Sequence, residues 1–202
     1  MKSYFEGLRF GMLLQLAIGP MCLMVFNTAQ NSGFFPAFSL VLAIALVDAF
    51  YIALAALGAG RLLEKERAKK LVPLLGGAVL LLFGLNIALG AFGRSFIPGL
   101  AVDAPAGSLF LQGLILTLSN PLTVHFWGSV LTAKIVEGGL QSRALTAFSA
   151  GAVSATLLFL TAVALLGTGL KSFIPQTVSA ILNVLVGLLV AGSGARMIFK
   201  KK

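Results

Sequence analysis

Charge is scarce in this chain. Only 10% of its 202 residues are Asp, Glu, Lys or Arg, against about 25% in a soluble domain. So few charges cannot cover a water-facing surface. That excludes a soluble globule, and 58% hydrophobic residues exclude a disordered chain. Cysteine is nearly absent: Cys22 stands alone and cannot close an internal disulfide, so a secreted disulfide scaffold is excluded as well. His125 is the single histidine. With no Cys/His spacing of the kind that holds zinc, no metal and no cofactor is expected. There is no Ser/His pair in a Gly-x-Ser context, no pair of intramembrane carboxylates and no Gly-rich phosphate loop. Nothing in the sequence points to an enzyme.

What the chain has is long apolar runs, at a mean hydropathy of +1.02. A membrane-spanning helix needs about 20 mostly apolar residues. Six stretches qualify: Phe10–Ala29, Ala37–Gly60, Leu71–Phe92, Leu109–Ala133, Ala144–Gly167 and Thr177–Ala195. Strands are excluded by the length of the runs and by their lack of strict alternation. Lys2 and Arg9 before the first run resemble the start of a signal peptide. That run exceeds the usual h-region of about 7–15 residues and no small-x-small site follows it, so it is read as the first span.

The charges test this count. With six alternating spans, one side of the membrane holds Lys2, Arg9, Arg61, Lys65, Arg67, Lys69, Lys70, Lys134, Arg143, Arg196, Lys200, Lys201 and Lys202. The other side holds only Arg94 and Lys171. The positive-inside rule then places both termini in the cytoplasm of a multi-pass protein of the inner, or plasma, membrane. The net charge of +9 is accounted for by topology and by contact of the Arg61–Lys70 run with anionic lipid. Nucleic acid is not an expected partner.

The longest loop, Gly93 to Ser108, carries Pro98, Gly99, Pro105 and Gly107. It divides a single transmembrane domain, 1–202, into three-helix halves, 1–92 and 109–202. An odd number of spans per half means that two related halves are inverted in the membrane, as in many transporters. The expected fold is therefore an all-α integral membrane protein of six transmembrane helices in two inverted three-helix repeats. Gly19-Pro20 in the first span and Asn120-Pro121 in the fourth match in position, and Gly58-Ala59-Gly60 and Gly167-Thr168-Gly169 end the second and fifth.

Those prolines are the first functional candidates. Proline breaks a helix interior but suits the first position of a new helix, and Gly or Asn just before it is an acceptable cap. Both pairs read as the start of a half-helix inside the membrane, with free N–H groups and partial positive charge. Two such ends facing a midplane cavity suit a carboxylate. The plainer alternative is a pair of proline kinks. Asp48 is the second candidate. It lies deep in an apolar span, where a charge costs about 2.5–3.5 kcal/mol on insertion scales, so it must be paired, hydrated or protonated. Tyr51, one turn away, is placed to donate to it. A carboxyl that gains and loses a proton there suits proton-coupled transport or an ammonium site. The alternative is a structural bond between helices.

Gln15, Cys22 and Asn27 lie near the first break, and Gln112, Ser119 and Thr123 share a face with Asn120. They line a polar path or join helices. His125, beside Trp127, reads as a packed histidine rather than a proton relay. Small residues form stripes: Ala45, Ala49, Ala53 and Ala56; Gly76, Gly77 and Gly84; Gly187, Ala191 and Gly194. These are packing faces, and they leave room for a homodimer.

With Gly19-Pro20, Gly33 in the turn, Asp48, the basic run after the second span and Asn120-Pro121, the chain resembles the lysine-exporter (LysE-type) translocator family of homoserine, threonine and leucine exporters. The resemblance covers nearly the whole chain. It departs at Met21, Val47 and Leu122, where members often carry Asn, Gly and Lys. It implies export of amino acids or related small zwitterionic solutes, driven by the proton gradient. In that reading Asp48 is the proton-coupling residue, and Gly19, Pro20, Asp48, Asn120, Pro121 and Gln15 bind the solute. A metal-cation exporter has too few ligands here. A channel of similar six-helix build is a further reading, and so is a non-transport membrane scaffold.

Overall fold

The computed structural model describes residues 1–15, 20–56, 66–94, 97, 105–120, 123, 127 and 142–199. Among the described residues the regular elements are all helical. They are α1 Lys2–Gln15, α2 Pro20–Ser32, α3 Phe34–Ala56, α4 Glu66–Gly90, α5 Ala106–Ser119, α6 Ser142–Leu170 and α7 Gln176–Phe199. Helical structure thus begins before the first expected span, at Lys2, and runs past its end to Ser32. The chain turns from α2 into α3 on one residue. Gly33 takes φ +92, a conformation open to glycine but strained for other residues, and its N–H closes on the Ala29 carbonyl at 2.9 Å. Gly93 does the same after α4, at φ +69, where Arg94 N–H reaches back to the Leu89 carbonyl at 3.1 Å.

Among the described residues, three helices are long and apolar enough to cross a membrane: Phe34–Ala55, Arg143–Leu170 and Thr177–Phe199. Leu74–Gly90 and Ala106–Ser119 are shorter apolar helices. Polarity is distributed inside out. Asn27, Thr28, Gln30, Asp48, Asn86, Gln112, Thr117, Thr156 and Asn183 are buried, while Leu46, Leu82, Leu165, Leu166, Leu188 and Leu189 are exposed. An apolar exterior around a polar-seeded core is what a lipid-facing bundle requires.

The helices pair α1 with α6, α3 with α5 and α6, α4 with α5 and α7, and α2 with α3, α6 and α7. Contacts made at glycines set several of these registers. Gly7 lies against Phe148 and Gly11 against Ala152, and on the far side of residues 16–19 Phe26 lies against Gly167. The first segment and α6 therefore run parallel in one register. In α4 and α7, Gly77 meets Gly194 and Gly84 meets Gly187, an antiparallel crossing. The glycine stripes expected in those two helices do face each other, so both are occupied within the chain. The stripe in α3 does not hold together as one face: Ala45 is buried and Ala53 exposed.

Candidate functional site

Asp48 lies at mid-depth in the bundle. Its carboxyl, 5% exposed, faces the centre of α6: Thr156 is the middle residue of that 29-residue helix. Thr156 Oγ1 donates to Asp48 Oδ2 at 2.9 Å. Trp127 Nε1 donates to Asp48 Oδ1 at 3.0 Å. Gln15 Nε2, in the last turn of α1, donates to Thr156 Oγ1 at 2.8 Å. Three chain segments, remote in sequence, thus meet at one carboxyl, and a fourth joins them through Thr156. Ile52, Ala55, Trp127 and Ala152 are packed into a buried apolar cluster beside it, with Tyr51, Leu145 and Val153 on its margin. An ionised carboxylate is acceptor-only, and each of its oxygens here receives a donor.

Tyr51 does not complete this set. One turn along α3 suggested a bond to Asp48, but the Tyr51 hydroxyl donates to the Leu118 carbonyl at 2.8 Å. The physical reason lies in α5, which ends at Ser119 and leaves its last carbonyls without helical partners. Tyr51 satisfies one of them. Gly76 of α4 lies against the Ser119 carbonyl, so closely that a Cβ there would fall 2.2 Å from it.

Asn120 closes α5 in an extended conformation, φ −87 and ψ 102, as expected of a residue that precedes proline. Its N–H bonds back to the Thr117 carbonyl and its carbonyl accepts from Thr123 N–H, both at 3.2 Å. In the first segment, the described part of α1 ends at Gln15 and that of α2 begins at Pro20. The start of the described part of α2 and the end of α5 are neighbours: Thr117 Oγ1 approaches Met21 Sδ at 3.9 Å. Of the expected site residues, Gln15 and Asp48 belong to one hydrogen-bonded group. Asn120 lies at the adjoining end of α5, and Pro20 at the start of α2. Gly19 and Pro121 lie outside the described residues, as do His125, Leu122 and Gly58 to Gly60.

Sequence reasoning missed Thr156 and the bonding role of Trp127. Thr156 is one of several hydroxyls in α6, with Ser154 and Thr161 nearby, and nothing local distinguishes it. Trp127 carries the stronger signal: it is the only tryptophan, and a buried indole N–H needs an acceptor. Among the described residues no three His, Cys, Asp or Glu side chains gather.

A family model described as LysE type translocator matches residues 12–201. No curated protein and no solved structure matches the chain.

Proposed function

The chain belongs to the LysE type translocator family, and from that premise we propose that it exports amino acids or related small zwitterionic solutes across the inner membrane in exchange for protons. The observation that carries this reading is the Asp48 carboxyl, held at the middle of an apolar bundle by Thr156 and Trp127. Burial of an ionisable group at that depth is costly, and such groups mark ion and substrate pathways. Asp48 is the proton-coupling residue. While ionised it accepts both donors; once protonated it must offer a donor at one oxygen and give up an acceptor there. The helix starts at Gly19-Pro20 and Asn120-Pro121 bind the solute carboxylate through their partial positive charge, and Gln15 is joined to Asp48 through Thr156. Solute from inside and a proton from outside compete for this region, giving exchange by alternating access.

Six spans in two inverted halves, with both termini cytoplasmic, form the scaffold of this proposal. The helix pairings support it. Gly11 of α1 packs on Ala152 of α6, and Gly113 of α5 packs on Ala43 of α3, as a two-fold relation between halves requires. Gly113 follows Gly11 by 102 positions and Ala152 follows Ala43 by 109, the same offset as between the Gly-x-Gly ends at Gly58 and Gly167. With that offset Thr156 corresponds to Val47 and Asp48 to Leu157. The Asp48–Thr156 bond then lies where the two-fold axis crosses α3 and α6.

The test does not presuppose a substrate. Cells expressing the protein are loaded with amino acids and dipeptides, and the medium is profiled by mass spectrometry beside Asp48→Asn at matched membrane levels. The expected result is one or more amino acids outside with wild type, none with the variant, and loss of efflux on adding a proton uncoupler. A profile equal to the empty-vector control overturns the amino-acid reading. Export that survives Asp48→Asn removes the proposed role of the carboxyl.

A further inference from the structure

Helix α2 changes character along its length. From Pro20 to Phe26 it is apolar; from Asn27 to Ser32 only Ala29 is. The polar residues do not face outward, since Asn27, Thr28 and Gln30 are all buried. Steps of 100° per residue place Asn27, Gln30 and Asn31 on one face of the helix, and α7 meets that face. Asn27 Nδ2 donates to Asn183 Oδ1. Asn31 Nδ2 donates to the Asn27 carbonyl at 2.7 Å and to Asn27 Oδ1 at 3.0 Å. Ser179 Oγ donates to Asn31 Oδ1 at 2.8 Å. Two atoms are left over. Gln30 Oε1, on this face, and Thr28 Oγ1, about 160° around the helix from it, are buried without a hydrogen-bond partner, in residues 3% and 0% exposed. Buried polar atoms are almost always paired, and an orphan needs an explanation. An amide carbonyl only accepts, so what completes Gln30 is a donor.

This cluster is separate from Asp48. Phe26 and Ala29 lie against Gly167, eleven residues beyond Thr156 on α6, which is about 16 Å along the helix axis. With the N-terminus cytoplasmic, the first segment runs outward, so the cluster lies on the outer side of Asp48.

We propose that the α2–α7 amide cluster is a second solute station on the exit path, where the ammonium group of the exported solute is received by Gln30 Oε1. The station rests on the export reading for its solute and on the proposed topology for its side. Amides and hydroxyls suit a waypoint. They replace part of the hydration of an ammonium group yet carry no charge to trap it.

The experiment uses the full chain in liposomes, with Cys22→Ser removing the native thiol and Ser179→Cys placing one at the rim of the cluster. A membrane-impermeant maleimide reports access from outside. The first probe is an equimolar mixture of the common amino acids without cysteine; the second is the same mixture N-acetylated, which lacks the ammonium. Labelling is expected to slow about tenfold with the first and to be unchanged with the second, the size of one charge-assisted hydrogen bond. Gln30→Leu is expected to remove the protection, whereas Asp48→Asn keeps it while stopping efflux. Equal protection by both probes, or by neither, overturns the station and leaves the cluster a water-lined polar patch. Protection without wild-type efflux keeps the station and sinks the export reading; efflux without protection does the reverse. Should Ser179→Cys not insert, Thr177→Cys, exposed at the start of α7, carries the label under the same criteria.

Discussion

Two of the helix crossings in the bundle are built from opposite materials. Where α3 crosses α6, the joint is polar: Asp48 Oδ2 and Thr156 Oγ1 at 2.9 Å, with Trp127 on the other carboxyl oxygen and Gln15 behind the threonine. Where α4 crosses α7, the joint is backbone against backbone. A Cβ at Gly84 would meet Ala191 N at 2.2 Å and the Gly187 carbonyl at 2.5 Å, and one at Gly194 would meet the Gly77 carbonyl at 2.5 Å. The first joint rests on hydrogen bonds to one carboxyl, with a donor on each oxygen. The second depends on shape alone and is indifferent to protons.

Four substitutions break or sharpen that contrast. Asp48→Asn has the largest effect. The amide keeps the size of the carboxyl but presents an NH2 to one of its two donors, and export is expected to fall to the vector background while membrane levels hold. Gly84→Leu comes next. The new side chain has no room, and overpacking of this kind costs about 1–3 kcal/mol or more. A lowered thermal midpoint in detergent is expected; an unshifted midpoint would mean that α4 and α7 do not pack as described. Thr156→Val removes the donor to Asp48 Oδ2 and leaves Gln15 Nε2 without its acceptor. Efflux is expected to slow about tenfold, as for the loss of a bond to a charged group, and Thr156→Ser is expected to restore it. The same loss in both variants would make the hydroxyl irrelevant. Tyr51→Phe is the smallest. It gives up one hydroxyl bond to the Leu118 carbonyl, worth about 0.5–1.5 kcal/mol, and efflux is expected to stay within a few-fold of wild type. A collapse of efflux with Tyr51→Phe would place the tyrosine, not Thr156, next to the coupling step.

Much of the site was legible residue by residue, and little of it pair by pair. Asp48 stood out because a carboxyl in an apolar run violates composition locally. Asn120 was legible because the residue before a proline is pushed out of the helical region, and it is extended in the structure. Tyr51 was assigned to Asp48 because helical neighbours are easy to compute; the structure gives it instead an acceptor 67 residues away. Gln15 was chosen for its nearness to the first break, yet its partner is 141 residues distant. The polar end of α2 was noticed only at Asn27. Thr28 and Gln30 carry no local signal of their burial, which the packing of α2 decides.

By itself the sequence determined the membrane character, the helical state, the end of α5 before Pro121 and the one carboxyl deep in an apolar run. Each of these follows from the free energy of a short segment in water or in hydrocarbon, which needs no knowledge of neighbours. Only the tertiary structure decided that Asp48 pairs with Thr156 and Trp127, that the α4 glycines face the α7 glycines, and that the amides of α2 turn toward α7. A hydrogen bond tolerates errors of only a few tenths of an ångström. A shift of one residue in register moves a side chain by 1.5 Å and 100° around its helix. Partner choice is therefore set by how whole helices rotate and slide against each other, a sum over many apolar contacts that no single position reveals.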